Sequence, residues 1–241
     1  MKSLKMRSII IICVVTVLCL TCMAFVTYNI SSTKVQDLSV SQYQTSTANT
    51  TNQLKAWLTE QEKLVSTQTM TLQINQNFEK ETLAAYLTKI VEEYNKDGYI
   101  YDLYYTSKEN VMASGSGYVP DGSIDFTKRD WYLAALESDD VCYSTPYKDT
   151  DSGKLVITLS QNVKKDGEIQ GVMAADIFVD TLIELVGEQS VPKDSYCFLV
   201  DSANGVVTHP DKKGFAYVED EPIALSKYKN KNYKKLLTAI K

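Results

Sequence analysis

The chain has very little histidine, since His209 is the only one among 241 residues. A zinc site built from several histidines is therefore excluded, and any serine or cysteine catalytic triad would have to include this residue. Basic residues are also in the minority, with 25 Lys and Arg against 30 Asp and Glu and a net charge of −5. This balance argues against a nucleic-acid partner, which requires clustered positive charge. The sequence predicts no metal site and no cofactor.

Cysteine is scarce outside the N-terminal segment. Three of the five cysteines lie between residues 13 and 22, in an apolar run where a thiol behaves as a small hydrophobic group. Only Cys142 and Cys197 lie further along, and two cysteines do not form a disulfide scaffold. One disulfide between them is compatible with the sequence, but we expect two buried free thiols.

Charge is absent from Ser8 to Thr33, a stretch of 26 residues that follows Lys2, Lys5 and Arg7. Its most apolar part, Ile9 to Tyr28, is long enough as a helix to cross the roughly 30 Å hydrocarbon layer of a membrane. Because basic residues precede the span, the positive-inside rule places the N-terminus in the cytoplasm and everything beyond residue 33 outside it. We therefore expect a protein of the cell membrane whose main domain is extracytoplasmic.

A cleaved signal peptide is the alternative interpretation of this segment. The hydrophobic region of a signal peptide usually has about 7–15 residues and ends at an Ala-x-Ala-like site. The run in this chain is longer, and Cys22-Met23-Ala24 matches such a site poorly. The sequence favours an uncleaved anchor.

Glycine and proline are absent from residue 34 to residue 74. Apolar residues between Leu54 and Leu72 recur at three to four positions or multiples of that spacing, which predicts a long helix that continues out of the membrane with a narrow apolar stripe. Such a stripe can pack on its own domain, on a second copy of the chain, or on both in succession, and we expect a homodimer. A second helix is predicted that ends before Asp97-Gly98. One face of it would carry Leu83, Tyr86, Leu87, Ile90, Val91 and Tyr94.

From Tyr99 onward the pattern changes to short segments separated by turn-forming residues. Short helices are predicted at 128–138, where Thr127 would cap the first turn by accepting the N–H of Asp130, and at 179–188. Hairpin-type connections indicate an antiparallel sheet, so the predicted fold class is α+β. The predicted strands are Tyr99–Thr106, Val111–Ser114, Val141–Ser144, Lys154–Gln161 and Glu168–Phe178.

The densest group of functional side chains is Arg129-Asp130-Trp131-Tyr132, at the predicted start of a helix. A guanidinium, an indole N–H and a phenol at a helix N-terminus form a donor-rich site suited to a carboxylate. Asp176 lies between alanines and Ile177-Phe178, where a buried carboxylate is costly unless it meets a cation or strong donors. One anion-binding group and one cation-binding group predict a site for a zwitterion.

Ordinary structural roles are the alternative for the same residues. An Arg–Asp pair at a helix start is commonly a surface ion pair, Trp131 and Tyr132 can belong to the core, and Asp176 can bind backbone amides at a sheet edge. An enzymatic alternative would pair carboxylates among Asp149, Asp151 and Asp176 for glycoside hydrolysis, but no paired-carboxylate motif stands out.

Three motifs in order, Arg129-x-Trp131-Tyr132, Tyr147-x-Asp149 and Ala175-Asp176-Ile177, resemble the double Cache sensor domain of bacterial transmembrane receptors, especially methyl-accepting chemotaxis proteins. The similarity covers most of residues 34–241, and Val200 to Pro210 resembles the start of the membrane-proximal module. The resemblance implies that the membrane-distal, PAS-like module binds a small zwitterion or carboxylate, above all an amino acid. It also implies that binding is signalled across the membrane.

When the functional residues of the family are matched by position to this sequence, the resemblance implies a role for each of them. Arg129 and Trp131 would hold the carboxylate of the ligand. Asp176 would hold its ammonium group, helped by Tyr132 and Tyr147. The full ligand-binding set is then Arg129, Trp131, Tyr132, Tyr147, Asp149 and Asp176.

One position departs from the family pattern. Amino-acid-binding members usually have a tyrosine five residues before the arginine, and this chain has Ile124. The missing hydroxyl removes a polar contact worth about 1 kcal/mol and can alter which ligand fits. Tyr101, Tyr104 and Tyr118 are the candidates to supply a replacement hydroxyl.

The resemblance also predicts how the chain is divided. We expect a cytoplasmic N-terminus and transmembrane helix at 1–33, a helical stalk and second helix at 34–97, a membrane-distal Cache module at 98–190 and the start of a membrane-proximal module at 191–241. The last part is predicted to hold strands Tyr196–Val200 and Val206–His209 and a lysine-rich helix, and we expect it to be incomplete. Similar domains also precede histidine kinases and cyclic-dinucleotide enzymes, so the output stays open. A surface interaction protein without a small ligand is a further alternative.

Overall fold

The computed structural model describes residues 2–95, 99–187, 195–202, 204–210, 223–228 and 231–239. The helices are α1 Lys2–Asn75, α2 Lys80–Tyr94, α3 Asp130–Glu137, α4 Val179–Gly187 and α5 Lys231–Ala239. The strands are β1 Ile100–Ser107, β2 Met112–Ser114, β3 Cys142–Tyr143, β4 Tyr147–Lys148, β5 Leu155–Lys165, β6 Glu168–Phe178, β7 Leu199–Val200 and β8 Val206–Thr208. Short 3-10 turns lie at Phe126–Lys128 and Leu225–Lys227. The predicted Asp97-Gly98 turn lies outside the described residues.

Helix α1 has 74 residues and is about 110 Å long at 1.5 Å per residue. From Ile9 to Ile30 its large apolar side chains are each more than half exposed. Within the described residues, α1 is the one helix long and apolar enough to cross a membrane. The predicted continuous helix from the span to about residue 74 is confirmed.

The C-terminal part of α1 packs on the sheet together with α2. Leu64, Val65 and Leu72 of α1 join Leu83 and Leu87 of α2 in one buried apolar cluster. These are the positions that helical spacing places on one side of each helix. The apolar stripe predicted from the sequence is therefore used, at least over this stretch, within the chain itself.

Six strands of the described chain form one antiparallel sheet in the order β2-β1-β6-β5-β3, and β4 pairs with the start of β5. A hairpin turn at Asp166-Gly167 joins β5 to β6 with φ angles of 53° and 85°, which suit a two-residue hairpin. Strand β5 therefore continues to Lys165 beyond the predicted end at Gln161, because those residues pair with β6. Strand β4 was not predicted from the sequence, and it forms because it pairs with β5.

Side chains of the central strands alternate between two faces of this sheet. On the α1 face, Met173 and Ile177 of β6 belong to the cluster formed with α1 and α2. On the α3 face, Ala174 packs with Trp131 of α3, and the next β6 residue on that side is Asp176. Strand β6 therefore contributes side chains both to the apolar cluster on the α1 face and to the α3 face.

Polar side chains of β5 hold α3 in place on the α3 face. The Ser160 hydroxyl donates to the carbonyl of Trp131 at 2.8 Å. The Asn162 amide donates to the carbonyls of Ala135 at 3.1 Å and Ser138 at 2.6 Å. The two Asn162 bonds satisfy carbonyl groups at the C-terminal end of α3, and together with the Ser160 bond near its start they fix the helix against the sheet.

The start of α3 corrects the sequence prediction. The helix begins at Asp130 rather than at residue 128, and its N-cap Arg129 makes no side-chain cap bond. Thr127 does not accept the N–H of Asp130. It lies in a 3-10 turn, where its N–H and its hydroxyl donate to Asp125 at 3.2 and 2.6 Å. The carboxylate is the stronger acceptor, so it takes the capping role and the threonine becomes a donor.

Strands β7 and β8 form a separate two-stranded sheet. Val206 of β8 packs with Leu225 and with Tyr233 of α5. Its neighbour Val207 packs against α4 through Leu182. Two consecutive residues of β8 therefore face opposite sides of this sheet, and they join it to α5 on one side and to α4 on the other.

Both cysteines beyond the apolar segment are free thiols, as predicted, but Cys142 and Cys197 are half-buried rather than buried. Cys142 belongs to the two-residue edge strand β3. Its thiol lies 3.6 Å from the carbonyl oxygens of Ala134 and Asp140. A sheet edge leaves one side of such a residue uncovered, which explains the partial exposure.

Candidate ligand-binding site

A cavity opens on the α3 face between β1, β6, the start of α3 and the turn that follows β4. About 390 Å³ of space inside it is free of protein atoms, a figure that includes space open to solvent. Five of the six residues predicted to bind a ligand line it. The lining residues are Tyr101, Asp102, Tyr104, Met112, Tyr118, Phe126, Arg129, Trp131, Tyr147, Asp149, Thr150, Asp151 and Asp176.

Arg129 is the half-buried residue immediately before α3. Its carbonyl oxygen accepts the N–H groups of Tyr132 and Leu133, both at 3.0 Å, and so starts the helix. Among the described residues its guanidinium has no ion-pair partner, and its neighbour Asp130 is exposed. A guanidinium without a counter-ion at a helix N-terminus is suited to a carboxylate.

Asp176 is a second charged group in the cavity wall. It is 4% exposed, and its Oδ1 accepts hydrogen bonds from the hydroxyls of Tyr104 at 3.0 Å and Thr158 at 2.6 Å. The Tyr147 hydroxyl lies 2.7 Å from Thr158 Oγ1 and extends the network. Burial raises the pKa of Asp176 to about 8, with two neighbouring carboxylates adding to the shift and these hydrogen bonds opposing it.

Sequence reasoning missed a further buried carboxylate, Asp102. It lies directly opposite Asp176 in the pairing of β1 with β6. The Ser114 hydroxyl donates to it at 2.6 Å and the Ser116 N–H at 2.7 Å, and burial raises its pKa in spite of these bonds. The signal was present in the sequence, because Asp102 interrupts an apolar strand as Asp176 does and the same cost of burial applies.

The side chains of Trp131 and Tyr132, at the start of α3, point in different directions. Trp131 is buried with its ring centroid 5.4 Å from that of Tyr104 and lines the cavity. Tyr132, about 100° further around the helix, is not among the lining residues. Its buried hydroxyl has no hydrogen-bond partner in the described chain, and burial raises the pKa of Tyr132 to about 12. The structure does not bring Tyr132 to the cavity beside Asp176, where the resemblance places it.

Asp149 organises the turn that forms one wall of the cavity. Its Oδ2 accepts the N–H of Asp151 at 3.1 Å and the N–H and hydroxyl of Ser152 at 2.6 and 2.7 Å. Gly153 completes the turn with a φ of 67°. Asp151 accepts a hydrogen bond from the Tyr101 hydroxyl. Asp149 therefore shapes the wall and adds negative charge, with one oxygen already used by the turn.

Ile124, the departure from the family pattern, packs against the buried cluster that contains Phe126 and Trp131 and does not line the cavity. The three candidates for a replacement hydroxyl, Tyr101, Tyr104 and Tyr118, all line it. The hydroxyls of the first two are bonded to carboxylates. Among the described residues the Tyr118 hydroxyl has no hydrogen-bond partner, so it is the one free to meet a ligand.

Charge in the cavity is predominantly negative, with four carboxylates and one guanidinium among the lining residues. The guanidinium of Arg129 can bind an anionic group, and the carboxylate of Asp176 can bind a cationic one. In the described chain no group of three or more His, Cys, Asp or Glu side chains is arranged to hold a metal ion. The cavity wall therefore offers one group for each charge of a small zwitterion.

Bacterial chemoreceptors are among the proteins of similar sequence. The chain is 34% identical over 114 residues to the methyl-accepting chemotaxis protein PscA of Pseudomonas syringae pv. tomato, a match that covers 46% of this chain and 18% of PscA. The chain therefore spans less than a fifth of the length of this relative.

Solved structures with a similar fold are chemoreceptor ligand-binding domains. The domain of Pseudomonas fluorescens CtaA in complex with L-serine superposes with a TM-score of 0.60 at 25% identity, covering 68% of this chain and 69% of that one. The domain of Pseudomonas aeruginosa PctC in complex with GABA superposes with a TM-score of 0.63 at 22% identity, covering 73% and 78%. At 22% identity, the similarity to PctC shows a shared fold and nothing further.

The extent of the family match agrees with these neighbours. A family model described as Cache domain (dCache_1) matches residues 31–239. That range contains the end of α1, both sheets, every lining residue of the cavity and α5. The resemblance noted in the sequence is confirmed, and the chain belongs to the Cache-domain family.

Proposed function

We propose that the chain is the membrane anchor and extracytoplasmic ligand-binding region of a bacterial chemoreceptor that binds a free amino acid. The support is the similarity to the chemotaxis protein PscA and to CtaA, whose structure contains L-serine. Because the chain spans less than a fifth of PscA, the signalling output is part of the proposal. A histidine kinase or cyclic-dinucleotide enzyme is the alternative output. The proposal assigns the chain no catalytic step.

The observation that carries the proposal is that Arg129 and Asp176 line one cavity. In the proposed complex the ligand carboxylate forms a bidentate pair with the guanidinium of Arg129, beside the ring of Trp131. The ligand ammonium bonds to Oδ2 of Asp176, which has no hydrogen-bond partner among the described residues, whereas Oδ1 has two. The Tyr118 hydroxyl supplies the polar contact that a tyrosine in place of Ile124 makes in other amino-acid-binding members of the family.

Compensation of buried negative charge explains why an ammonium group would bind well. Asp102 and Asp176 face each other in the pairing of β1 with β6, so ionising both would place like charges opposite each other and destabilise the sheet. An ammonium group beside Asp176 favours its ionised form and offsets the repulsion. A ligand with an acidic side chain would bring a further negative charge into the same wall, so we expect aspartate and glutamate to bind least.

The same proposal covers the membrane and the arrangement of the chain. The exposed apolar side chains of α1 support a transmembrane segment within 1–33 and an extracytoplasmic remainder. The two separate sheets support a membrane-distal module at 98–190 and a membrane-proximal one from 191. Met70 and Ile74 are exposed on α1 and support a homodimer that pairs the stalk helices.

Calorimetry on the full chain in lipid nanodiscs tests the proposal. We expect saturable heat with at least one neutral amino acid and none with aspartate or glutamate. Arg129→Ala and Asp176→Asn should each weaken binding by about 100-fold, the usual effect of removing one partner of a desolvated charge pair.

Lys128→Ala is the matched control, because this side chain is 82% exposed and pairs with Asp125 on the surface. Its affinity should equal that of the unaltered chain. The proposal fails if no amino acid produces heat, or if the control loses as much affinity as the two cavity variants.

A further inference from the structure

A second cavity lies on the α1 face, on the other side of the sheet from the first. It lies over Met173 of β6, between the end of α1, the loop at Asn77 and the start of α2, and has a volume of about 360 Å³. That volume is within the range of small-molecule sites. The two cavities share a strand, since Met173 lies under the second one and Asp176 under the first.

The second cavity differs from the first in having no charged lining. Its buried floor is formed by Leu72, Leu83 and Met173, and its lining contains no carboxylate, ammonium or guanidinium group. A charged ligand would lose its hydration there without a counter-charge. The cavity therefore suits an uncharged molecule with an apolar body.

One polar side chain in this cavity has unused hydrogen-bonding capacity. Gln68 is 5% exposed, and its Oε1 accepts the hydroxyl of Tyr86 at 2.5 Å. Its amide nitrogen has no hydrogen-bond partner among the described residues. Since Gln68 lines the cavity and a nearly buried amide favours having its N–H groups bonded, a ligand with a carbonyl or hydroxyl oxygen fits this position.

We propose that the cavity between α1 and α2 is a second ligand site, which takes small uncharged molecules with an aromatic or aliphatic body and one amide or hydroxyl group. The apolar body lies on the floor, and the polar oxygen accepts from the Gln68 amide. The ligand lies between α1 and α2, and α1 is the helix that includes the apolar N-terminal segment. The ligand therefore acts on the position of α1 whenever it binds one spacing of the two helices better than another. This site is independent of the amino-acid proposal.

Methionine methyl groups report on each cavity separately. Met173 lies in the second cavity and Met112 in the first, so methyl-labelled methionine in the full chain gives one NMR signal for each, assigned with Met173→Leu and Met112→Leu. We expect benzamide, benzyl alcohol or both to shift the Met173 signal saturably, with a dissociation constant of about 1 mM or below. The Met112 signal should stay in place.

Variants on α1 identify the occupied position. Gln68→Met keeps the length of the side chain but removes its amide and should weaken benzamide binding about tenfold. Thr71→Phe, which places a ring at the rim of the cavity, should abolish it without removing a buried contact. Gln53→Met, at an exposed position on the same helix, should change nothing.

Three results would overturn the second site. The first is a Met173 signal that neither probe moves. The second is an equal shift of Met112 and Met173, which indicates non-specific uptake. The third is a Met173 signal that moves with protein concentration in the absence of a probe, which indicates that a second copy of the chain covers the cavity.

Discussion

The two faces of the six-stranded sheet use the same strands in opposite ways. On the α1 face, Leu103 and Ile177 are fully buried among apolar side chains. On the α3 face, their chain neighbours Asp102 and Asp176 are just as buried but are carboxylates that oppose each other. Burial of apolar surface stabilises the fold by about 25 cal/mol per Å², whereas burial of two facing carboxylates disfavours their ionised forms. The α3 face therefore carries an electrostatic cost that the ammonium group of the proposed ligand would offset.

The largest effect should come from the α1 face. Ile177→Ala removes most of a side chain that is 1% exposed and leaves a void under α1 and α2. We expect a loss of about 2–5 kcal/mol in the free energy of unfolding. The amino-acid affinity of the folded variant should stay within about twofold, because Ile177 faces away from the cavity.

Urea denaturation and calorimetry at a temperature where the variant is folded measure the two quantities. Val119→Ala at an exposed position serves as the control and should change neither. A large loss of affinity in folded Ile177→Ala would show that the two faces are not separable.

The adjacent residue should behave in the opposite way. Asp176→Asn keeps an oxygen for Tyr104 and Thr158 to bond but removes a buried charge. We expect the free energy of unfolding at pH 8 to rise by on the order of 2 kcal/mol, while amino-acid binding weakens by about 100-fold. The same urea and calorimetric measurements apply, with Asp140→Asn at an exposed position as control. A variant that is both destabilised and still able to bind would contradict the role given to this carboxylate.

The charge on Asp176 also predicts how stability depends on pH. Its pKa rises from an ordinary 3.8 to about 8 in the folded chain. Between those values the folded state holds a proton that the unfolded state has released, so stability falls as the pH rises through this window. The loss should reach at most about 1.4 kcal/mol per pH unit from this group.

Urea titrations of the unaltered chain and of Asp176→Asn at several pH values from 5 to about 8.5 isolate this contribution. The difference between the two profiles should grow in favour of the variant as the pH rises. A saturating amino acid should flatten the profile of the unaltered chain, since the ammonium stabilises the ionised carboxylate. Parallel profiles would mean that Asp176 is ionised in the empty cavity.

Part of this contrast could be predicted from the sequence. The cost of burying a carboxylate identifies Asp176 without any structural knowledge, and the same argument identifies Asp102 once its strand is recognised. The helical spacing on α1 and α2 likewise places Leu64, Leu72 and Leu87 on buried sides. The burial of Leu64, Leu72 and Leu87 is confirmed because it depends on local periodicity, whereas Asp102 was not predicted although the chemistry of its side chain carries the same signal.

Other features depend on contacts between distant parts of the chain. The position of Tyr132 follows from where α3 begins, which in turn depends on whether Asp125 or Thr127 accepts the first N–H groups. Strand β4 and the full length of β5 exist through their pairing with other strands. Local pattern carries no information about which of two competing acceptors or partners prevails.

The smallest predicted effect compares one hydroxyl on each face. Tyr118→Phe removes the cavity hydroxyl that has no hydrogen-bond partner among the described residues, and we expect about fivefold weaker amino-acid binding, or about 1 kcal/mol. Tyr86→Phe removes the hydroxyl bonded to Gln68 on the α1 face and should leave that affinity unchanged. Both affinities can be measured by calorimetry, with the Met112 methyl signal as a check on the empty cavity. If Tyr118→Phe binds as well as the unaltered chain, the hydroxyl absent at Ile124 has no replacement, and the ligand is held by its two charged ends alone.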